Sequence, residues 1–226
     1  MSGSASKGFP SVRFSRDDVS LVKNEVSFQG FFRMRTLTVN HPRFQGGEMT
    51  ITRELFERGR AVAVLLFDPA AEAIILVEQF RTGALMAPDA RLDGQVRPTH
   101  AWQLELVAGI VEEGESDVDV AGREAEEEAG AVARGFYPML DYLVSPGGTN
   151  ERVGIYCAWV DSSSLGGVHG LETEGEDIQV HVVPFAEACE ACADGRIDNA
   201  ATLLGVQWFQ LYRDKVMANW KAQGLV

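Results

Sequence analysis

Three glutamates in one short stretch are the first residues whose types and spacing suit chemistry. In Arg123-Glu124-Ala125-Glu126-Glu127-Glu128-Ala129-Gly130, Glu124, Glu127 and Glu128 stand three and four residues apart. A helix turns about 100° per residue, so with Glu124 at zero, Glu127 falls at about 300° and Glu128 at about 40°. The three carboxylates then share one face, expected to look out to solvent. Val118, Ala121, Ala125 and Ala129 fall at about 60–140°, a narrow stripe of mostly small residues that lets a helix sit close to a sheet. Like charges at these spacings repel by roughly 0.2–0.5 kcal/mol per pair. The repulsion becomes affinity when a divalent cation sits among them. Hard oxygen donors suit Mg²⁺, with Mn²⁺ as substitute, and Mg²⁺ keeps waters and binds substrate phosphates. A solvated acidic helix is the bland reading of the same residues. Nothing resembles a zinc site: Cys189-x-x-Cys192 has no second ligand pair and reads as two small packing residues on a helix.

The chain around these residues has 226 residues, one or two domains' worth. With 46% hydrophobic and 23% charged residues it is globular, which excludes wholesale disorder. No apolar run reaches the ~18 residues of a membrane span. Residues 1–10 are Ser/Gly-rich without the apolar run of a signal peptide. Three cysteines cannot all pair, which points to a reducing, cytoplasmic home. Net charge is −13, against nucleic acid as a partner. The charge is uneven. Residues 1–60 hold ten Lys/Arg against six Asp/Glu, and 61–226 hold ten against twenty-seven. An acidic body beside an Arg-bearing segment suits metal cations plus an anionic ligand.

The positioning elements follow from apolar runs and turn residues. Residues 19–28, 31–39 and 48–56 read as strands of a β-rich start. The runs 61–67 and 73–80 flank Asp68-Pro69 and form a hairpin. Residues 86–98, dotted with Gly, Pro and Asp, read as a flexible loop. A helix spans 116–131, with Ser116 and Asp119 as its capping box. Strands at 136–143 and 152–160 flank Ser145-Pro146-Gly147-Gly148, and 178–183 is another. Residues 166–177 read as a second loop, rich in glycine and carrying Glu172, Glu174, Glu176 and Asp177. In an extended backbone those alternating glutamates point the same way. Helices close the chain at 185–193 and 200–221. The class is α+β, with a small β-rich domain over 1–57 and a second domain over 58–226.

The pattern Gly109-x5-Glu115-x7-Arg123-Glu124-Ala125-x-Glu127-Glu128-x-Gly130-Ala131 resembles the Nudix box, with all seven fixed positions present. At background residue frequencies a chance match is on the order of one in a million. Ala125 and Ala131 are smaller than the aliphatics usual there. The resemblance implies an α/β/α sandwich around a mixed sheet and hydrolysis of a nucleoside diphosphate linked to another moiety. It implies Glu124, Glu127, Glu128 and the Ala108 carbonyl as metal ligands, with Arg123 and Glu115 bracing the loop.

Further segments resemble the ADP-ribose pyrophosphatase branch of that family. Pro146 lies sixteen residues after Gly130, within Ser145-Pro146-Gly147-Gly148-Thr149-Asn150-Glu151. Gly170-Leu171-Glu172-Thr173-Glu174-Gly175-Glu176-Asp177 is similar to the branch's mobile acidic loop, which implies Glu174 as general base and Glu176 as a metal ligand. Gln29-Gly30-Phe31-Phe32, Arg53-Glu54-x-x-Glu57-Arg58-Gly59 and Val77-Glu78-Gln79-Phe80-Arg81 extend the likeness. These imply Phe31 and Phe32 stacking on adenine, Arg53, Arg58 and Arg81 on diphosphate or ribose, and Glu54 on the adenine amino group or a ribose. Ile110, Ser145, Pro146, Gly147 and Glu151 join the implied substrate contacts. The implied substrate is ADP-ribose or a related ADP-sugar, with two or three Mg²⁺. The implied assembly is a homodimer that swaps its N-terminal domain and carries Arg53 and Phe31 into the partner's site. The alternatives are another nucleotide-sugar as substrate, or a catalytically silent module that senses ADP-ribose.

Overall fold

The computed structural model describes residues 9–226. Residues 1–8, most of the Ser/Gly-rich 1–10 stretch read above as unlike a signal peptide, lie outside the described residues, as do the side chains of Leu92 and Glu174. The chain divides into two compact units, 1–58 with 145–150 and 59–144 with 151–226.

The first unit is a three-stranded antiparallel sheet of β1 (Ser20–Gln29), β2 (Arg33–Pro42) and β3 (Glu48–Glu57). None of its described residues is buried. Ser145–Asn150 belongs to it through the end of β3. The Phe56 N–H donates to the Gly148 carbonyl at 2.8 Å, and the Arg58 N–H donates to Asn150 Oδ1 at 2.8 Å.

The second unit holds β4 (Arg60–Asp68), β5 (Ala73–Phe80), α1 (Thr82–Leu85), β6 (Ala90–Leu92), β7 (Gln95–Arg97), β8 (Trp102–Glu105), β9 (Val107–Val111) and α2 (Asp117–Ala129). After these come β10 (Arg134–Leu143), β11 (Arg152–Trp159), β12 (Gly167–His169), β13 (Ile178–Pro184), α3 (Phe185–Asp194) and α4 (Ala200–Ala222). Its main sheet runs β10-β11-β4-β5-β13-β12 and is mixed, because β11 and β4 are parallel. Helices cover both faces, which makes the α/β/α sandwich. The apolar run of β4 is continuous because both faces are buried. Ala63, Leu65 and Phe67 feed the core under α3 and α4, and Val62, Val64 and Leu66 feed the core under α2. Among the described residues no helix is long and apolar enough to cross a membrane.

One irregularity builds the site. β4 and β5 pair over only three positions, Leu66–Asp68 with Ala73–Ile75, and then splay. The stretch from Trp102 to Val111 fills the fork, pairing as β8 with β5 and as β9 with β4. At the switch, the Leu106 N–H leaves the ladder and donates to the buried Thr202 hydroxyl at 3.0 Å. β9 thereby lies beneath α2.

Several expectations are corrected. Residues 86–98 are not a plain loop: β6 and β7 form a hairpin, turned by Asp93 and Gly94 at positive φ of 51° and 74°. The 166–177 segment contains β12 and a 3₁₀ turn at Glu172–Glu174. That turn overturns the extended arrangement of the three glutamates. Gly175 adopts φ 73°, and its N–H closes back on the Glu172 carbonyl. On α2 the docked arc is wider than the small-residue stripe. It runs from Val120 through Glu128 and Ala121 to Ala129, about half the helix circumference. Glu128 is therefore under the helix, and Val118, in the first turn, is 39% exposed. Ser116 caps the helix by accepting the Asp119 N–H, but its hydroxyl donates to the Asp119 carboxylate, so the box does not close through the backbone.

Candidate active site

The carboxylates of α2 are held over β9 by the local chain. Arg60 on β4 clasps Asp117 with two hydrogen bonds, fixing the first turn of the helix to the sheet. Gly130 at φ 62° ends the helix in the left-handed region. Between those ends Glu124 reaches back over the strand. A Cβ on Gly109 would come within 2.1 Å of Glu124 Oε1, so a larger residue here would push the Glu124 side chain from its place. Arg123 binds Glu124 at 2.9 Å and Glu127 at 3.0 Å, with Glu115 at 3.9 Å. Glu115 in turn accepts the Glu112 N–H at 2.9 Å. Arg123 and Glu115 thus brace the turn ahead of α2.

Glu128 is only 2% exposed. Its Oε2 accepts the Ala108 N–H at 3.0 Å, and its Oε1 meets the Gln79 amide at the long limit of 3.5 Å. Gln79 points there because it continues the α2-facing side of β5 after Ile75 and Val77. Burial pushes the Glu128 carboxyl up to about 8, against the Ala108 hydrogen bond, and the charges of Glu124 and Glu176 push the same way. Glu124 is also raised, first by burial, against the pull of Arg123, with Glu127 and Glu176 adding. Glu176, from the far loop, is therefore a neighbour of the helix carboxylates. Its own carboxylate accepts the Leu171 N–H at 3.0 Å. Arg81, at the end of β5, is near enough to Glu128 to pull its proton affinity down, and it pairs with Glu105 at 2.8 Å.

Glu105, which the sequence reading did not single out, is the partner that holds Arg81. Burial raises its carboxyl against the Arg81 charge. Its partner lies 24 residues away, across β8 and β5, and no local pattern announces it.

Among the described residues no three carboxylate, imidazole or thiol groups are drawn close enough to grip an ion as they stand. Their present partners explain this, since Arg123, the Ala108 N–H and the Leu171 N–H each hold one or two of them. The donor set still fits a hard divalent cation. It is all oxygen, it is drawn from α2 and the acidic loop, and burial with mutual repulsion raises Glu124 and Glu128, a cost that a divalent cation would relieve. In protein stripped of divalent ions this has a measurable consequence. A carboxyl raised from 4.5 to about 8 by folding costs nothing while both states are protonated; the cost accrues as pH climbs from about 4.5, where the unfolded chain ionises, and is complete above about 8. Glu128→Gln, without that ionisation, is expected to out-melt the parent by a margin that is small at pH 5, grows to about pH 8 and levels off above it. Thermal melts in chelator across that range check it, and a pH-independent margin refutes it.

The other predicted contacts are placed as follows. In the second unit, Ile110 lies on β9 and is 48% exposed, and Glu151 precedes β11, its carbonyl accepting the Val144 N–H. In the first unit, Phe31 and Phe32 meet edge to face with centroids 4.9 Å apart, and Phe32 meets Phe56 likewise at 5.0 Å. The Arg58 guanidinium stands 4.8 Å from the Phe32 centroid. Phe31 is 89% exposed, so its ring is not core. Arg53 and Glu54 project from β3 opposite Leu37 and Thr36, both exposed. Ser145, Pro146 and Gly147 form the exposed turn whose Gly148 and Thr149 N–H groups close on the Ser145 carbonyl at 3.0 Å. Phe31, Phe32 and Arg58 are thus one cluster, and Ser145–Asn150 runs beside the same strand end. The Glu174 side chain lies outside the described residues; its backbone forms the end of the 3₁₀ turn.

Comparison with known proteins agrees with this architecture. The NUDIX domain family model matches residues 57–204. An ADP-ribose pyrophosphatase of Escherichia coli is 42% identical over 211 residues, covering 92% of this chain and 96% of that protein. One from Haemophilus influenzae is 40% identical over 209 residues, covering 92% and 93%. A GDP-mannose pyrophosphatase of Cronobacter sakazakii is 30% identical over 194 residues, covering 86% and 96%. A solved structure described as an ADP compounds hydrolase superposes with TM-score 0.63 at 18% identity, over 94% of this chain and all of that one, and shares its fold.

Proposed function

The chain belongs to the Nudix family, as a hydrolase acting on pyrophosphate bonds, and from that premise we propose that it hydrolyses ADP-ribose to AMP and ribose 5-phosphate with Mg²⁺. What supports the chemistry is the buried Glu128, hydrogen-bonded to the Ala108 N–H on the strand under the carboxylate helix and near enough to Glu124, Glu176 and Arg81 to feel their charges. Those residues, with Glu127 and the Ala108 carbonyl, would hold the ions. When bound, divalent ions supply the positive charge that the diphosphate needs before a water can attack phosphorus. The chain's own groups do the rest. Glu174 accepts the proton of the attacking water, whose oxygen bonds to one phosphorus while the bridging oxygen leaves on the other phosphate. Arg53, Arg58 and Arg81 orient the anionic oxygens through guanidinium forks, and Phe31 and Phe32 offer ring faces and edges to adenine. Glu54, Ile110, the 145–147 turn and Glu151 complete the substrate contacts. The free thiols of Cys157, Cys189 and Cys192 support a cytoplasmic home.

The deciding experiment incubates the protein and Mg²⁺ with ADP-ribose, other ADP-sugars, GDP-mannose, NADH and dinucleoside polyphosphates, and identifies the products. ADP-ribose is expected to be cleaved fastest. A preference for GDP-mannose would favour the second reading, to which the 30% relative points.

The first unit supports a homodimer. A three-stranded sheet without one buried described residue lacks the core that holds such a sheet together. Val22, Val26 and Phe28 of β1 are 50–63% exposed. A second copy is expected to cover this surface by exchange of the unit across a two-fold axis. Light scattering at micromolar concentration should return twice the chain mass, and a fully active monomer refutes it.

A further inference from the structure

We infer that His169 is a positioning residue, whose imidazole clamps the root of the acidic loop onto the end of the carboxylate helix. It rests on the reading of Glu174 and Glu176 as residues of the reaction. His169 is the last residue of β12, and it pairs with Ile178 of β13. Its Nε2 lies 2.9 Å from the Gly166 carbonyl. A carbonyl only accepts, so Nε2 is the donor in this contact. The ring then fills the space beside the helix C-cap. A Cβ on Gly130 would come 2.7 Å from His169 Cε1, so the ring occupies the place a larger residue at 130 would need.

The next residue fastens the backbone. The Gly170 N–H donates to the Glu127 carbonyl at 3.2 Å, satisfying one of the carbonyls that a helix end leaves without a partner. From Gly170 the loop doubles back at once. A Cβ there would lie 2.8 Å from Glu176 Cβ, and the Glu176 N–H returns to Leu171. Helix end, imidazole, Gly170 and Glu176 are thus consecutive contacts. Gly166, Gly167 and Gly170 carry no side chain, and Val168 is 66% exposed. The Gln179 amide holds the root to β13 by donating to the Gly167 carbonyl at 3.0 Å, whereas His169 is the side chain set against the helix C-cap. Removing the ring leaves the β12–β13 ladder in place and leaves the Gly170–Glu127 backbone hydrogen bond to tie the root to the helix end, so the glycine-rich segment beyond it gains freedom.

Two variants of the full chain test it, His169→Ala and His169→Gln, the second keeping an N–H that reaches the Gly166 carbonyl. In His169→Ala, amide exchange across 170–177 is expected to speed up about tenfold or more while β4 and β5 stay as in the parent. With ADP-ribose, kcat should fall about tenfold and the Mg²⁺ needed for half-maximal rate should rise, while KM stays within about twofold. His169→Gln should recover most of both effects. Unchanged exchange over 170–177 in His169→Ala overturns the inference, as does a rise in KM with kcat and Mg²⁺ requirement unmoved. If the parent does not cleave ADP-ribose, the substrate assignment fails, and the exchange data still decide the role of His169.

Discussion

Glu174→Gln is expected to slow the chemical step of ADP-ribose hydrolysis by about 10²–10⁴ with KM nearly unchanged, the span for losing a general base. The base has to approach the attacking water after substrate arrives, so a loop serves better than a rigid helix. Gly170 and Gly175, at φ 96° and 73°, bracket the turn that carries it and tolerate the backbone change. Glu176→Gln should differ in kind, raising the Mg²⁺ requirement. Glu172→Gln is the control and should match the parent. Single-turnover rates for the three variants check the assignment. An essential Glu172 with a dispensable Glu174 means the register of the loop has been misread. If none of the three matters, the base lies elsewhere, with Glu127 and Glu151 next to be tried.

Glu124→Gln and Glu128→Gln are expected to lower turnover at least about a hundredfold, the scale of losing a well-placed electrostatic group. Neither should unfold the protein. Glutamine at 128 keeps an oxygen for the Ala108 N–H and relieves a buried charge, while glutamine at 124 fits the same space over Gly109. The measurement is kcat at saturating Mg²⁺, with circular dichroism to confirm the fold. Rates near the parent in both variants would remove the metal assignment.

The fold was legible where a local rule speaks alone. The two-sided burial of β4 is written in an unbroken apolar run, and α2 is written between Ser116 and Gly130. The carboxylate trio was legible for the same reason, being set by helical spacing. What escaped was set by contacts distant in sequence. Glu128 lies only about 40° from Glu124 on the helical wheel, and the sheet's reach around α2 decides that it is buried. Glu105 acquires its role from Arg81, and His169 from Gly130, across 24 and 39 residues. The β6–β7 hairpin did have a signal. Asp93-Gly94 is a favoured two-residue turn, hidden among the other Gly, Pro and Asp residues around it.

Along β4 the parity of a residue number decides which interior a substitution reaches. Ala63, Leu65 and Phe67 answer to α3 and α4, and Val62, Val64 and Leu66 answer to α2. Neighbours one peptide bond apart thus answer to separate packing constraints. A lineage can drift in the odd-numbered set, trading bulk among α3 and α4, while the even-numbered set beneath the carboxylates stays as it is. A single inserted residue removes that freedom, because it sends every later side chain of the strand to the opposite face and exchanges the two histories at once. Directed evolution toward heat resistance therefore has a defined half of this strand to explore without touching the chemistry.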